Sequence, residues 1–484
     1  MVILIRVIKM KESYWQQKTK IKKFPALDHD IETDVLIIGG GLTGLMCAYF
    51  LKDSQHHITL VEGDEIGSHS SSHMTGKISY FHPSVLKNIK QSFNELTALR
   101  YFKSNLEAYI SLVEIIEKNN IQCDFSVNPH YFYSVDKPQD LKTVYDMLEG
   151  SISTMEFTTN QIKMFPLGTF DPVKYMKGIV ESLDNVNIYE HTKVLNHTKI
   201  QHKHVLKTGH HRITAKYVVV ATRYPIFNFP SMYFLKMHQV RSALFLTPQR
   251  DRRIVLCEDD DIYSRRNIDH YNLHVTNERL VGDKEKPLRV YDKIQTWHNQ
   301  DCISHDGLPM IGYYDKGDPT MFVATGYNKW GITMSHVAGR LISELILNKE
   351  SEYQDLYEPH RFKPITSASA FSKLALRTVK AEIVDRIVLK KVDIENMDNH
   401  SGTVTDLNDT MVAVYKENGH YYGFVPVCSH LGCILKYNSS EHTFECPCHG
   451  SRFDYTGKVL DGPAVESIES IIVASEDEDN EKEL

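Results

Sequence analysis

The chain has 484 residues, of which 42% are hydrophobic and 24% charged, and a formal net charge of −7 at pH 7. This length is enough for about three core-forming units, and the composition is typical of a globular protein. The negative charge argues against nucleic-acid binding, because no basic stripe dominates. No apolar run approaches the roughly 18 residues of a transmembrane helix, and no signal-peptide pattern is present. We therefore expect a cytoplasmic protein.

A nucleotide-binding unit is predicted near the N-terminus. Residues 33–38 form a short apolar run that is typical of a buried parallel strand. They lead into a G-x-G-x-x-G motif at residues 39–44, then a helical stretch and a strand at 58–61 that ends on Glu62. Strand, glycine motif, helix, strand and acid in this order indicate a dinucleotide-binding βαβ unit.

Each motif residue has a physical role in such a unit. Gly39 makes the tight turn, Gly41 lets the backbone approach a pyrophosphate, and Gly44 lets the helix pack on the strand. The helix N-terminus attracts phosphates, and Glu62 suits a ribose hydroxyl. A glycine-rich turn that binds nothing is the alternative, and the motif alone does not separate FAD from NAD.

Later segments distinguish the two cofactors through a family resemblance. They are a Ser- and His-rich stretch at 67–76, an apolar strand at 216–222, a glycine turn at 306–312 and a segment at 323–333 that precedes a helix. Together they resemble the D-amino-acid oxidase-like FAD oxidoreductases, which include glycine, sarcosine and glutamylputrescine oxidases. The resemblance covers about residues 32–365. It implies FAD as cofactor, with further binding residues Ser72, Gly76, Ala221, Gly326, Gly331 and Thr333.

The same resemblance implies a discontinuous α/β domain at 31–365. Its Rossmann-like nucleotide-binding parts are expected at about 31–80, 165–225 and 297–348. An inserted antiparallel sheet, built from about 81–165 and 226–296, is expected to cover the flavin where substrate binds.

Lys329 and Trp330 are the candidate catalytic residues beside the flavin. Lys329 could stabilise negative charge on the reduced ring, although a surface lysine on a loop is an equal alternative. No general base is assigned. Cys302 lies near the position where sarcosine oxidases tether their flavin, but we expect non-covalent FAD.

Two motifs near the C-terminus predict a metal centre. Cys428 and His430 are separated by 15 residues from Cys446 and His449. Two thiolates and two imidazoles are the ligand set of a Rieske [2Fe–2S] centre, in which neutral imidazoles raise the reduction potential. Structural zinc with four tetrahedral ligands is the alternative.

Each motif carries one more cysteine, Cys433 or Cys448, and Pro463 lies in a third loop at 461–464. This set closely resembles the disulfide-bearing Rieske proteins of respiratory and photosynthetic cytochrome bc-type complexes, over about the last hundred residues. The resemblance implies a disulfide between Cys433 and Cys448 and a proline loop that covers the cluster. Free thiols are the alternative, since reducing compartments disfavour disulfides.

The resemblance also divides the ligands between the two irons. It implies that Cys428 and Cys446 hold one iron and that His430 and His449 hold the other.

Two further residues are expected to tune the cluster. Ser451 can donate a hydrogen bond to a cluster sulfur, whereas Phe453 stands where high-potential members of the family carry a tyrosine. Because fewer donors stabilise the reduced cluster less, the potential should lie below the top of the Rieske range.

The sequence thus predicts an α/β flavoprotein domain followed by a small all-β domain. Outside the flavoprotein domain we expect an N-terminal extension, a linker, the Rieske domain and an acidic tail, at residues 1–30, 366–390, 391–474 and 475–484 respectively. This combination of domains resembles bacterial proteins in which such a flavoprotein is fused to a Rieske domain.

The expected function is FAD-dependent oxidation of an amine or amino-acid-like small molecule by hydride transfer to flavin. Electrons would then leave through the cluster to an external one-electron acceptor, because flavins can release electrons singly. Two alternatives remain. The chain could be a redox-transfer or sensing module without substrate turnover, or electrons could run from an external donor through the cluster to flavin.

Overall fold

The computed structural model describes residues 12–150, 152–259, 263–287, 290, 292–361, 394–407 and 410–475. The expected linker at 366–390 and the tail beyond residue 475 lie outside these residues. The N-terminal unit contains, in chain order, α1 (Tyr14–Lys18), β1 (Ile31–Ile38), α2 (Leu42–Leu51), β2 (Ile58–Val61), α3 (Ser70–His73), β3 (Lys77–Ile78), α4 (Pro83–Ser92), α5 (Glu95–Lys118), β4 (Ser126–Tyr133), α6 (Pro138–Leu148), β5 (Met155–Thr158), β6 (Gln161–Thr169), α7 (Pro172–Glu181), β7 (Val186–Tyr189), β8 (Asn196–Ile200), β9 (Lys203–Lys207), β10 (Arg212–Val220), a 3-10 turn (Tyr233–Leu235), β11 (Met237–Pro248), β12 (Ile254–Cys257), β13 (Ser264–Ile268), β14 (Tyr271–Leu280), β15 (Gln295–Ser304), β16 (Met310–Asp315), β17 (Asp318–Thr325) and α8 (Gly331–Ile346). The C-terminal unit contains β18 (Ser401–Leu407), β19 (Thr410–Glu417), β20 (His420–Phe424), β21 (Lys436–Asn438), β22 (Thr443–Glu445), β23 (Arg452–Phe453), β24 (Val459–Asp461) and β25 (Ser470–Ser475).

The first sheet is the nucleotide-binding sheet, with strand order β16-β17-β10-β1-β2-β7. Its central strands β17, β10, β1, β2 and β7 run parallel, and the β8–β9 hairpin extends β10. Helix α2 connects β1 to β2 and is buried at nine of its ten residues. A helix that is apolar all round belongs to a core, which explains why it lies between the sheet and α8.

The second sheet has strand order β15-β11-β14-β13-β12-β4-β6-β3, with β5 on β6. Every described pair is antiparallel except β4 with β12, which are parallel. The sheet is therefore the inserted sheet that the resemblance implied, but it is mixed. The sheet also contains β15, although residues 297–304 are predicted from the sequence to belong to a nucleotide-binding part.

The described part of the N-terminal extension packs on the flavoprotein unit. Tyr14 and Trp15 on α1 are buried, and Trp15 Nε1 donates a hydrogen bond to Met74 O at 2.9 Å. Ser13 caps the helix through a capping box. Residues 12–30 are thus integrated into the fold of this unit.

The C-terminal unit consists of two four-stranded antiparallel sheets, β18-β19-β20-β25 and β21-β22-β23-β24. Its core joins apolar side chains from both sheets to the four cysteines of the two motifs. Among the described residues, no helix is both long and apolar enough to cross a membrane.

Candidate active site and cluster site

A cavity of about 1530 Å³ opens between the two large sheets and the C-terminal unit. This volume exceeds the roughly 300–1,000 Å³ of an ordinary ligand pocket and leaves room for a large cofactor with a substrate beside it. Eight of the residues predicted from the sequence line it: Gly39, Gly41, Glu62, Ala221, Gly326, Lys329, Trp330 and Gly331.

The glycine motif has the close backbone contacts that a dinucleotide site needs. Gly39 has a φ of +110°, and a Cβ there would lie 2.6 Å from Ala221 O. A Cβ on Gly44 would lie 1.9 Å from Gly39 O, so only glycine lets α2 pack against the turn. Gly41 is the N-cap of α2. These contacts fit the phosphates of a dinucleotide at the start of the helix.

Glu62 is fixed at the end of β2 by two backbone groups. Its carboxylate accepts hydrogen bonds from Gly40 N at 2.7 Å and from Asp64 N at 2.9 Å. Because a carboxylate can accept more than two bonds, Glu62 can still bind a ribose hydroxyl in the cavity. The remaining acceptor capacity of Glu62 therefore fits the ribose of FAD.

Four other predicted residues do not line the cavity. Gly44 packs inside the βαβ unit, as its role requires, and Ser72 donates to His69 O at 3.0 Å. Gly76 O accepts from Arg266 at 2.7 Å, and Thr333 donates to Asn105 Oδ1 at 2.7 Å. Their neighbours Ser70, Ser71 and Thr75 line the cavity instead.

The two candidate catalytic residues stand at the start of α8. Lys329 has a φ of +72° and its ammonium pairs with Glu278. Burial lowers the pKa of Lys329 to about 7, opposed by the negative charge of Glu258. Trp330 stacks on His82 with ring centroids 4.0 Å apart. Lys329 is thus held inside the cavity by an acid.

A second lysine in the cavity wall, Lys77, was not predicted from the sequence. Lys77 on β3 is 7% exposed and donates to Ser264 Oγ at 2.6 Å. Burial, together with the nearby Arg266, lowers the pKa of Lys77 to about 7. Lys77 follows a polar, Ser- and His-rich stretch, so its sequence context gives no local signal that its side chain is buried.

Cys302 lies on β15 in the cavity wall and is 4% exposed. Burial raises the pKa of its thiol to about 12. A protonated thiol is a poor nucleophile, which agrees with our expectation of non-covalent FAD.

The predicted metal ligands come together at the tips of two loops of the C-terminal unit. Cys428 and Cys446 are hydrogen-bonded to each other through their thiols, which lowers the pKa of Cys428 and raises that of Cys446. The rings of His430 and His449 have centroids 5.0 Å apart. The Nδ1 atoms of both histidines are buried without a hydrogen-bond partner. Two adjacent sulfurs and two orphaned imidazole nitrogens fit a [2Fe–2S] cluster.

The two loops are also linked covalently. A disulfide joins Cys433 to Cys448. Within each loop the backbone turns tightly, with Cys428 N donating to Cys433 O at 2.9 Å and Gly450 N donating to Cys446 O at 3.0 Å.

The residues predicted to tune the cluster are buried in the same unit. Ser451 is fully buried, and its Oγ accepts a hydrogen bond from Ala464 N in the proline loop at 3.0 Å. Its hydroxyl proton therefore remains available for a sulfur. Phe453 on β23 is fully buried in the apolar core of the unit, and Pro463 is buried in the third loop.

A buried ionic network docks the C-terminal unit on the flavoprotein unit. Arg279 on β14 pairs with Glu445 at 2.8 Å, and Arg223 pairs with Asp461 at 2.8 Å. Arg241 on β11 pairs with Glu441. These neighbouring arginines hold the pKa of Glu445 down, to about 2, and the pKa of Asp461 well below its usual range, against the opposing effect of burial.

The ligand histidines face the flavoprotein unit across this interface. His430 Nε2 lies 2.6 Å from Asn228 Oδ1, so that an N–H there donates to the amide oxygen. Phe234 packs edge-on against both rings, with centroids 6.2 Å from His430 and 5.5 Å from His449. These contacts could not be predicted from the sequence, because they depend on how the two units meet.

Comparison with known families identifies both units. Residues 34–345 match the DAO family of FAD dependent oxidoreductases, and residues 388–472 match the Rieske [2Fe-2S] domain. The chain belongs to the FAD dependent oxidoreductase family. It is an oxidoreductase that carries a C-terminal Rieske domain, and the two families imply FAD and a [2Fe–2S] cluster as its cofactors.

Similar proteins agree with this assignment. YhfW of Bacillus subtilis (strain 168), whose name refers to a Rieske 2Fe-2S iron-sulfur protein, is 26% identical over 95% of this chain and 97% of its own length. Gamma-glutamylputrescine oxidoreductase of Escherichia coli (strain K12) is 23% identical over 69% of this chain and 88% of its own length. Glycine oxidase from Geobacillus kaustophilus shares the fold, with a TM-score of 0.55 at 17% identity over 69% of this chain and 99% of its own.

Proposed function

We propose that this protein oxidises a small amine or amino-acid-like molecule in its cavity and sends the electrons through the cluster to an external one-electron acceptor. When bound, FAD supplies a two-electron centre and the cluster a one-electron centre. The observation that carries the proposal is that both units contribute residues to the wall of one cavity. Asp461, Gly462 and Ala464 of the proline loop line the same cavity as Gly39 and Glu62.

The charge of the cavity supports an amine as substrate. Glu258 and Glu278 line it close to Lys329. Burial raises the pKa of Glu258, and two bonds from Ser84 oppose that effect. A partly buried acid of this kind can bind an ammonium group or accept its proton. The Escherichia coli relative is named after gamma-glutamylputrescine, a polyamine derivative, and this name agrees with an amine as substrate.

An anaerobic panel of amines and amino acids tests the proposal. We expect at least one compound to bleach the flavin absorbance of the loaded full-length protein, followed by reduction of the cluster. A Cys428→Ser variant is the matched control, because it should keep flavin bleaching and lose the second phase. If no compound bleaches the flavin although a chemical reductant reduces both centres, the proposal is wrong and a redox-transfer or sensing module remains.

A further inference from the structure

We propose that Gln239 and Gln300 are positioning residues for electron transfer, which hold the backbone of the cluster loops against the wall of the flavin cavity. This inference rests on the proposed function, because it assumes that electrons cross between the two units. Nothing in either sequence motif identifies these glutamines.

The two glutamines lie on neighbouring strands of the second sheet and are almost fully buried. Gln239 on β11 is 3% exposed and Gln300 on β15 is 1% exposed. In the register of the two strands, Gln239 stands opposite Cys302, which lines the cavity. The strands that form the cavity wall therefore present these amides to the cluster loops.

The amide hydrogens of both side chains are fully used. Gln239 Nε2 donates to His449 O at 2.6 Å and to Gly462 O at 2.9 Å. Gln300 Nε2 donates to Gly450 O at 2.9 Å and to Gln239 Oε1 at 2.9 Å. A buried pair with every donor satisfied has one orientation and fixes the groups that it binds. Those groups are the backbone of a ligand histidine, its neighbour and the proline loop.

The backbone of the second loop approaches the glutamine without any spare room. Gly450 has a φ of +87°, and a Cβ there would lie 2.8 Å from Gln239 Nε2. On the other side of the amide, Cys302 Sγ lies 3.8 Å from Gln239 Oε1. One contact therefore links Cys302 in the cavity wall to the Gln239 amide, and a second contact links that amide to the ligand residue His449.

The electron count requires an acceptor outside the chain. Oxidation of one substrate molecule yields two electrons, and the cluster holds one at a time. The external one-electron acceptor of the proposed function must therefore remove each electron before the next arrives, and the flavin protons leave through the cavity.

The test uses the loaded full-length protein without substrate. The flavin is reduced by light with a photosensitised donor under anaerobic conditions, and cluster reduction is followed by absorbance and EPR. In Gln239→Met we expect cluster reduction to slow severalfold, because the cluster loops lose the two hydrogen bonds that hold them against the cavity wall. Gln295→Met is the matched control, because Gln295 lies on β15, the strand of Gln300, but its side chain donates to Glu12 O, away from the cluster loops.

Separate readouts exclude a merely structural effect. The cluster potential and EPR spectrum of Gln239→Met should equal those of the wild type, while hydrogen exchange rises at residues 446–451 and 461–464. If Gln239→Met does not retain its cluster, Gln300→Met decides by the same comparison. Unchanged rates, or slowing explained by a shifted cluster potential, would overturn the inference. If the wild-type cluster is not reduced by flavin at all, the proposed function fails instead.

Discussion

Ser451 offers a test of how the protein sets the cluster potential. Its Oγ accepts a bond from Ala464 N and its hydroxyl proton is free to bind a sulfur. Because reduction adds negative charge to the cluster, a donor bond strengthens on reduction and raises the potential. Ser451→Ala should therefore lower the potential in voltammetry of the full-length protein. Ser401→Ala is the control, since Ser401 donates to Asp398 O away from the loops. An unchanged potential in Ser451→Ala would refute the hydrogen-bond account.

Lys329 should make the flavin potential depend on pH near neutrality. Burial lowers the pKa of Lys329 to about 7, so its ammonium charge is present below that pH and lost above it. A positive charge stabilises a reduced ring that carries negative charge. Lys329→Met should lower the flavin potential at pH 6, and its difference from the wild type should shrink above pH 8.

The matched control for Lys329 is Lys87→Met. Lys87 also lines the cavity, but its ammonium pairs with Asp140 at 2.6 Å, between α4 and α6. Spectroelectrochemical titration at several pH values measures both variants. Equal curves for Lys329→Met and wild type would mean that Lys329 does not act on the flavin.

At the scale of elements, the buried arginine of β23 should dominate the stability of the cluster domain. Arg452 is 1% exposed and bonds Glu441, Glu445 and Asp461. Removing one partner of a buried ionic network leaves uncompensated charge, which costs about 3–5 kcal/mol. Arg452→Met should lower the free energy of unfolding in urea by that amount. Arg253→Met, at an exposed pair with Asp251, should cost at most about 1 kcal/mol. Equal losses would contradict this ranking.

The docking of the two units should weaken in acid. The neighbouring Arg279 lowers the pKa of Glu445 from 4.5 to about 2, although burial opposes the shift. A carboxyl with a lowered folded-state pKa stabilises above its unfolded pKa, and this contribution is lost as pH falls toward its folded pKa. We expect the urea midpoint of the cluster domain to drop between about pH 4.5 and pH 2. The urea midpoint of Glu445→Gln should be lower than that of the wild type at pH 7 and should depend less on pH. A pH dependence as steep as that of the wild type would mean that Glu445 is not the titrating group.

The elements that the sequence predicted well are those with local signals. The β1–α2–β2 unit was placed within about three residues, because apolar runs and glycines mark its boundaries. The second sheet was less predictable, since β15 joins β11 through contacts between distant segments. The docking arginines Arg241 and Arg279 lie in strands without any local pattern. Ser72, Gly76 and Thr333 are predicted cofactor residues that do not line the cavity, whereas their neighbours Ser71, Thr75 and Ile332 do.

The molecule as a whole should contain both cofactors in fixed proportion. We expect one FAD, two irons and two acid-labile sulfides per chain, and an EPR signal of a mixed His/Cys cluster in the reduced state. Acid precipitation should release the flavin, because the Cys302 thiol is protonated. One zinc without labile sulfide would refute the cluster, and flavin retained in the pellet but lost in Cys302→Ala would refute non-covalent binding.

We expect electrons to pass from flavin to cluster within one docked chain. The direct measurement is the rate of cluster reduction after rapid anaerobic flavin reduction, followed at several protein concentrations and salt concentrations. Because the docking ions Arg241, Arg279 and Asp461 are buried, we expect a first-order rate that changes neither with the protein concentration nor with the salt concentration. A rate that rises in proportion to protein concentration, or a cluster that stays oxidised beside fully reduced flavin, would refute electron transfer within one chain.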